Sequence, residues 1–361
     1  TRDRGELSPR ETEILGLVAS GLASREIADR LFISQGAYNF YRLTGALCES
    51  RSTASGSGLL NVRTGEYDDY VLRLLGIDAG QLCGIVTYKD VQPLNEFGAK
   101  ALGIRAGIPV VPAHPDGALN QIACGAARVG RMTLSVGTSG AIRLTSSHPF
   151  LPENHELWCY FGVEDWMVGA ATAGACNCIN WFLQTCVQEK WTFRDLERFD
   201  DIGGSVPVFL PFLFGERCPG WQDNRLGGFY NIGPSHTIRD LYRALQAGIF
   251  FNLYQCFEVL TAESGDPKDI IVSGGILNSA QWTQMLADIF GREITCLKTI
   301  DASSLGAALL ALNAAGAFPD IRSFEGDSKG MKRVQPRAEF REYYAEQYAS
   351  YRHWYKITEN Y

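Results

Sequence analysis

The sequence predicts an α/β fold, and three observations carry that expectation. Apolar, β-rich runs end in small-residue turns at 134–140 and 270–275, and a further run, Gly107-Ile-Pro-Val-Val111, leads towards Asp116. Stretches with helical spacing follow or separate these runs, at 119–127, 238–260, 279–290 and 303–315. The chain has 361 residues, 46% apolar and 20% charged, which is room for two domains and a sizeable core.

Composition narrows the function classes. A net charge of −7 argues against a chain whose whole surface binds nucleic acid, because it would repel phosphates. No run of about 18 apolar residues appears, so no membrane span or membrane partner is expected. No basic segment followed by an apolar one marks a signal peptide, so the expected location is the cytoplasm. The ten cysteines are scattered, several of them inside apolar runs (Cys124, Cys256, Cys296), as for buried free thiols in a reducing compartment. Cys176 and Cys178 form the one close pair, with no further ligands at metal-binding spacing.

Taken in order, residues 7–34 have their own character. Ser8, Pro9 and Glu11 form a helix start with a capping box, and Ile14, Leu15, Leu17 and Val18 make an apolar stripe that Gly21 ends. A second short helix is capped by Ser24 and turns Ile27, Ala28 and Leu31 inward. This segment resembles the opening of a LuxR-type helix-turn-helix domain. A recognition helix would come next, yet residues 35–45 supply one basic side chain, Arg42. Specific DNA binding is therefore not expected. Beyond it, helices are expected at 66–75, 119–127, 175–187, 238–260, 279–290, 303–315 and 340–354, with a hairpin formed by 132–136 and 141–144.

Five groups of residues stand out for their chemistry. Asp116 precedes Gly117 and Ala118, so a substrate can approach its carboxylate; an Asp before Gly is also a common turn or cap residue. Gly137, Thr138, Ser139 and Gly140 can turn successive N–H groups and two hydroxyls towards one anion, or simply close a hairpin. Gly274 and Gly275, with Asn278 on the same turn, leave room for a nucleobase or ribose, or make a tight connection. Gly169 and Gly174 flank another small-residue run. Glu216, Arg217, Asp223 and Arg225 lie close enough in sequence to form an ion-pair network of mainly structural role.

In their order and wording, Pro112-Ala-His-Pro-Asp116, Leu134-Ser-Val-Gly-Thr-Ser-Gly140 and Ile270-Ile-Val-Ser-Gly-Gly275 resemble the FGGY family of carbohydrate kinases, a likeness that runs over residues 38–355. The resemblance implies an actin-like (ribonuclease-H-like) sugar-kinase architecture. It also implies transfer of a phosphoryl group from ATP, with Mg²⁺, to a gluconate- or pentulose-like sugar, polyol or sugar acid. It assigns Asp116 as the base, where the family's Gly-Gly-Gly-Asp is here Ala-His-Pro-Asp. It places Gly137, Thr138 and Ser139 at phosphate, Gly274, Gly275 and Asn278 at adenosine, and Gly169 and Gly174 near the nucleotide. The implied partners are a small-molecule sugar and ATP, with a second copy of the chain as a candidate.

The family's opening strand and Asp-x-Gly-Thr turn have no counterpart here. The expected organisation is a partial helix-turn-helix over 1–37, an incomplete first kinase domain over 38–148 and an essentially complete second domain over 149–361. No protein ligand for the metal is identified. The competing readings are a LuxR-type DNA-binding regulator and an inactive kinase remnant or fusion.

Overall fold

The computed structural model describes residues 34–188, 190–197, 204–298, 301–326 and 331–359. Of the segment with helix-turn-helix character, residues 7–33 lie outside them. In chain order the elements that matter here are α1 (Gln35–Thr44), α2 (Asp116–Ala123), β1 (Arg131–Val136), β2 (Gly140–Ser146), β3 (Trp158–Phe161), β4 (Trp166–Thr172), α3 (Cys176–Trp181), α4 (Ile238–Ser264), β5 (Asp269–Ser273), α5 (Ala280–Phe290), β6 (Ile294–Leu297), α6 (Ala302–Ala314), β7 (Met331–Val334) and α7 (Arg341–Ile357).

Contacts divide the chain into two units, and the division is not one cut in sequence. The first gathers the described residues up to Ala123 with Tyr160–Trp166 and Asp301–Phe324. The second holds Cys124–Cys159, Met167–Ile300 and Glu325–Tyr361.

In the first unit α1 starts on Ser34, whose hydroxyl accepts from the Ala37 N–H at 3.0 Å. Gly45 ends it in the left-handed region. Short ladders follow, Cys48–Ser50 parallel to Gly84–Val86 and Gln92–Pro93 antiparallel to Pro109–Val110. The last of these is shorter than the expected strand at 107–111. Pro109 and Pro112 lack the N–H that would extend it. The helix expected at 119–127 runs instead from Asp116 to Ala123, so Asp116 opens a helix where a loop was expected. Its end is set by Gly125, which is left-handed and so close to the Glu325 carbonyl that an added Cβ would lie 2.8 Å from that oxygen. The helix α6 packs on α2 through Gly306, where a Cβ would lie 2.0 Å from the Leu119 carbonyl oxygen. The small residues Ala302-Ser-Ser-Leu-Gly-Ala-Ala308 let the two helices approach this closely.

In the second unit a seven-stranded sheet has the order β7-β6-β5-β1-β2-β4-β3 among the described residues. Strand β5 runs parallel to both β1 and β6, with Ile270 opposite Met132 and Val272 opposite Leu134. These central strands carry buried side chains on both faces, which explains their continuous apolar sequence. The hairpin β1–β2 forms as expected, closing at Val136 opposite Gly140. Helix α4 is 27 residues long and buried along most of Tyr242–Leu260. Its start is fixed by Asp240, whose carboxylate accepts from the Thr237 N–H and hydroxyl, each at 2.7 Å. The helix expected at 175–187 is α3 followed by one wider turn at Phe182–Cys186. No described helix is long and apolar enough to cross a membrane.

Candidate active site

The turn after β1 is built from the sheet outward. The Gly137 N–H donates to Ser139 O at 3.0 Å. The first amides of α3 then fasten the turn: Cys176 N–H donates to Gly137 O at 2.9 Å and Asn177 N–H to Thr138 O at 3.2 Å. Thr138 and Ser139 are exposed, and no atom lies within 4 Å of a Cβ built on Gly137. Gly140 differs, because a Cβ there would sit 2.6 Å from Thr172 Oγ1. The turn thus keeps its hydroxyls and one open glycine towards solvent while its base is locked into the sheet.

The two adjacent glycines after β5 have different roles. Gly274 is left-handed at φ 100°, and a Cβ would lie 2.4 Å from the Val136 carbonyl oxygen. Only glycine fits that close approach. It places the β5 turn directly against the residue that precedes the Gly137 turn. Gly275 has open space, with Val136 O the nearest atom to a built Cβ at 3.9 Å. It begins the short helical turn Gly275–Asn278, and Ser279 then caps α5 by accepting from Trp282 N–H at 3.3 Å.

Gly275 and Asn278 line a cavity of about 250 Å³ in the second unit, together with Cys176, Asn180, Phe193, Glu197, Tyr242 and Trp282 among others. One wall descends α3 and the other ascends the β5 turn into α5. Glu197 spans the two sides: it accepts from Ser279 Oγ at 2.8 Å and from the Tyr242 hydroxyl at 3.3 Å. Burial raises the Tyr242 phenol well above its ordinary range. Burial likewise pushes the Cys176 thiol up to about 11 and Cys178 to about 12, so both stay protonated and unreactive near neutral pH.

Of the residues expected at a nucleotide site, the structure brings together Gly137, Thr138, Ser139, Gly274, Gly275 and Asn278. Gly169 and Gly174 are both buried, a different setting. A Cβ on Gly169 would lie 2.2 Å from Ile142 O and one on Gly174 1.9 Å from Pro211 O. Their missing side chains serve backbone packing behind the turn. Asp116 belongs to the first unit. Its side chain is exposed at the start of α2, where the helix end favours a carboxylate, and its carbonyl accepts from Ser303 Oγ at 3.2 Å. His114 is held by Pro112 O, 2.8 Å from Nδ1, and burial lowers its pKa.

Among the four charged residues of 216–225, the structure pairs Glu216 with Arg225 at 2.7 Å, both essentially inaccessible. The Tyr355 hydroxyl donates to Glu216 at 2.6 Å and the Arg225 guanidinium stacks 3.9 Å from the Tyr355 ring centre. This anchors α7 in the second unit.

The sequence reading did not find Glu197, Tyr242, Phe193 or Trp282. Their only local signal is an apolar or acidic position on a helix, and they meet through contacts 45 and 82 residues apart in sequence. Among the described residues no three His, Cys, Asp or Glu side chains converge as a metal site.

The model of the C-terminal domain of the FGGY family of carbohydrate kinases matches residues 132–315, and that of the N-terminal domain matches residues 23–123. The latter begins inside the segment that resembles a helix-turn-helix. The chain is similar to gluconokinase of Bacillus subtilis (29% identity, 84% of this chain, 62% of the relative) and to xylulose kinase of Staphylococcus epidermidis (30%, 72% and 53%). It therefore spans less than two thirds of either relative. Its structure matches gluconate kinase from Lactobacillus acidophilus with a TM-score of 0.85 at 26% identity, over 97% of this chain and 78% of that one. The fold is thus the α/β, actin-like sugar-kinase fold.

Proposed function

We propose that this chain, which belongs to the FGGY family of carbohydrate kinases, transfers the γ-phosphoryl group of ATP to a hydroxyl of a sugar, polyol or sugar acid of the gluconate or pentulose type. The observation that carries the reading is the juxtaposition in the second unit of an open Gly-Thr-Ser turn and an adjoining cavity, joined by the Gly274–Val136 approach. A nucleotide has the same two parts, an anionic chain and a flat, polar-edged base.

In this reading the Thr138 and Ser139 hydroxyls donate to the β- and γ-phosphates, while Gly137, whose N–H is held by Ser139 O, leaves room for them, so that donors are already in place where charge shifts during transfer. Gly275 and Asn278 border the adenosine, and the Asn278 amide can both donate and accept at its edge. Asp116 accepts the proton of the acceptor hydroxyl as its oxygen attacks the γ-phosphorus. The proton moves to the carboxylate, the new P–O bond forms, and the bond to the ADP oxygen breaks. Mg²⁺ neutralises phosphate charge in reactions of this kind and binds largely through the phosphates themselves. The described residues offer no converging acidic cluster, so we assign it no protein ligand.

Gluconate and a pentulose head the list of acceptors because relatives of both gluconate and xylulose type match the chain. The test is ADP release from ATP and Mg²⁺ with gluconate, pentuloses and polyols offered separately. Release that depends on one acceptor supports the proposal. No acceptor-dependent release, with the protein folded and ADP bound, overturns transfer while leaving nucleotide binding standing.

A further inference from the structure

We propose that Glu197 selects a 6-aminopurine nucleotide by accepting a hydrogen bond from the exocyclic amine of the base. The inference rests on reading the cavity beside Gly275 as the nucleotide site.

The cavity has a direction. Cys176 N–H bonds Gly137 O, so the start of α3 marks the end nearest the phosphate turn. Gly274, seated on Val136 O, marks the same end on the opposite wall. From there the lining runs down α3 through Ile179 and Asn180 and on to Leu183 in the wider turn, about 10 Å for a helical rise of seven residues. On the other wall it passes from Gly275 through Asn278 and Ser279 to Trp282. Glu197 joins this lining at Ser279 and Tyr242, one turn beyond the glycines. In a nucleotide the base is the part remote from the phosphates, so the carboxylate faces the base.

The chemistry at that place is one-sided. A carboxylate offers only acceptors, about two to each oxygen, and Ser279 and Tyr242 occupy one on each. Acceptor capacity is left on each oxygen, and the carboxylate itself has nothing to donate. An amine at the purine 6-position satisfies it, whereas a 6-oxo group brings oxygen against oxygen. The carboxylate is also held in place. Ser279 is fixed by its capping bond to Trp282, and the Tyr242 ring is almost wholly buried. A held acceptor discriminates more than a free one, because it cannot swing away from the wrong base.

The experiment is calorimetry with ADP and with IDP, which differ at the 6-position, on the wild-type chain and on Glu197→Gln. We expect wild type to bind ADP about tenfold or more tightly than IDP, the range for a hydrogen bond to a charged group. Glu197→Gln, whose amide can donate to a 6-oxo group, should bring the ratio towards one. A carboxylate that merely braces the loop would weaken both nucleotides alike and leave the ratio unchanged, and that result overturns the inference. Equal binding of ADP and IDP by wild type overturns it without any variant. Binding of neither nucleotide by the folded wild type overturns the nucleotide reading itself.

Discussion

The substitution Gly275→Val separates the nucleotide site from the fold. A Cβ at this position meets nothing nearer than Val136 O at 3.9 Å, which is ordinary contact, and the residue is not left-handed. The side chain therefore enters the cavity of about 250 Å³ rather than the protein. Gly274, one residue earlier, is the control. Its φ of 100° and the 2.4 Å approach to Val136 O mean that Gly274→Val strains the backbone and the ends of the central strands. For Gly275→Val the cost falls on the ligand. Inserting methyl groups into a filled, well-packed space costs about 1–3 kcal/mol, which corresponds to roughly 5- to 150-fold in Kd. The assay is calorimetric titration of ADP into wild type, Gly275→Ala and Gly275→Val, with thermal unfolding of each. Alanine should weaken binding less than valine, and both should unfold close to the wild-type temperature. Equal ADP affinity in wild type and Gly275→Val would refute the placement of the base, whatever the catalytic activity.

Three further outcomes are expected. Asp116→Asn should lower kcat on the order of 10²–10⁴-fold, the range for a positioned general base, with ADP affinity unchanged, because the carboxylate acts on the acceptor hydroxyl; wild-type turnover in the variant would make Asp116 a helix-start residue only. Arg225→Ala should destabilise the fold by about 3–5 kcal/mol in denaturant unfolding, since it leaves the inaccessible Glu216 without its cation; a loss under about 1 kcal/mol would show that the Tyr355 hydroxyl and the Gly220 N–H satisfy the carboxylate. The pH dependence of stability should carry a contribution from His114, whose pKa burial lowers from 6.5. As pH falls below that value the unfolded chain takes up the proton first, so stability is full above it and declines towards the folded pKa. The difference in melting temperature between wild type and His114→Gln should therefore change between pH 7 and pH 5, and a constant difference would show that the ring titrates as if exposed.

Much of this fold was legible because the determinants are local. The hairpin around Gly137–Gly140 and the start of α4 each follow from a few neighbouring residues: alternating β-branched runs with a small turn, or the Thr237–Asp240 cap. Where the reading missed, a distant group decided. The end of α2 depends on Gly125 meeting Glu325, two hundred residues away in sequence, and no propensity anticipates that.

The glycines show the same division within the site. In sequence Gly169, Gly174, Gly274 and Gly275 look alike, small residues beside apolar runs. In the structure three of them are required by backbone oxygens, at Ile142, Pro211 and Val136, that leave no room for a Cβ. Gly275 alone of these four has free space over it, and that space is the cavity. A ligand needs room as well as a glycine, and room is a property of the surroundings. The residues that give the cavity its chemistry were illegible for the same reason. Glu197 gains its place from Tyr242 and Ser279, which come 45 and 82 residues later in the sequence. Short motifs thus locate where backbone can approach a phosphate, while the side chains that choose the base come from wherever the fold brings them.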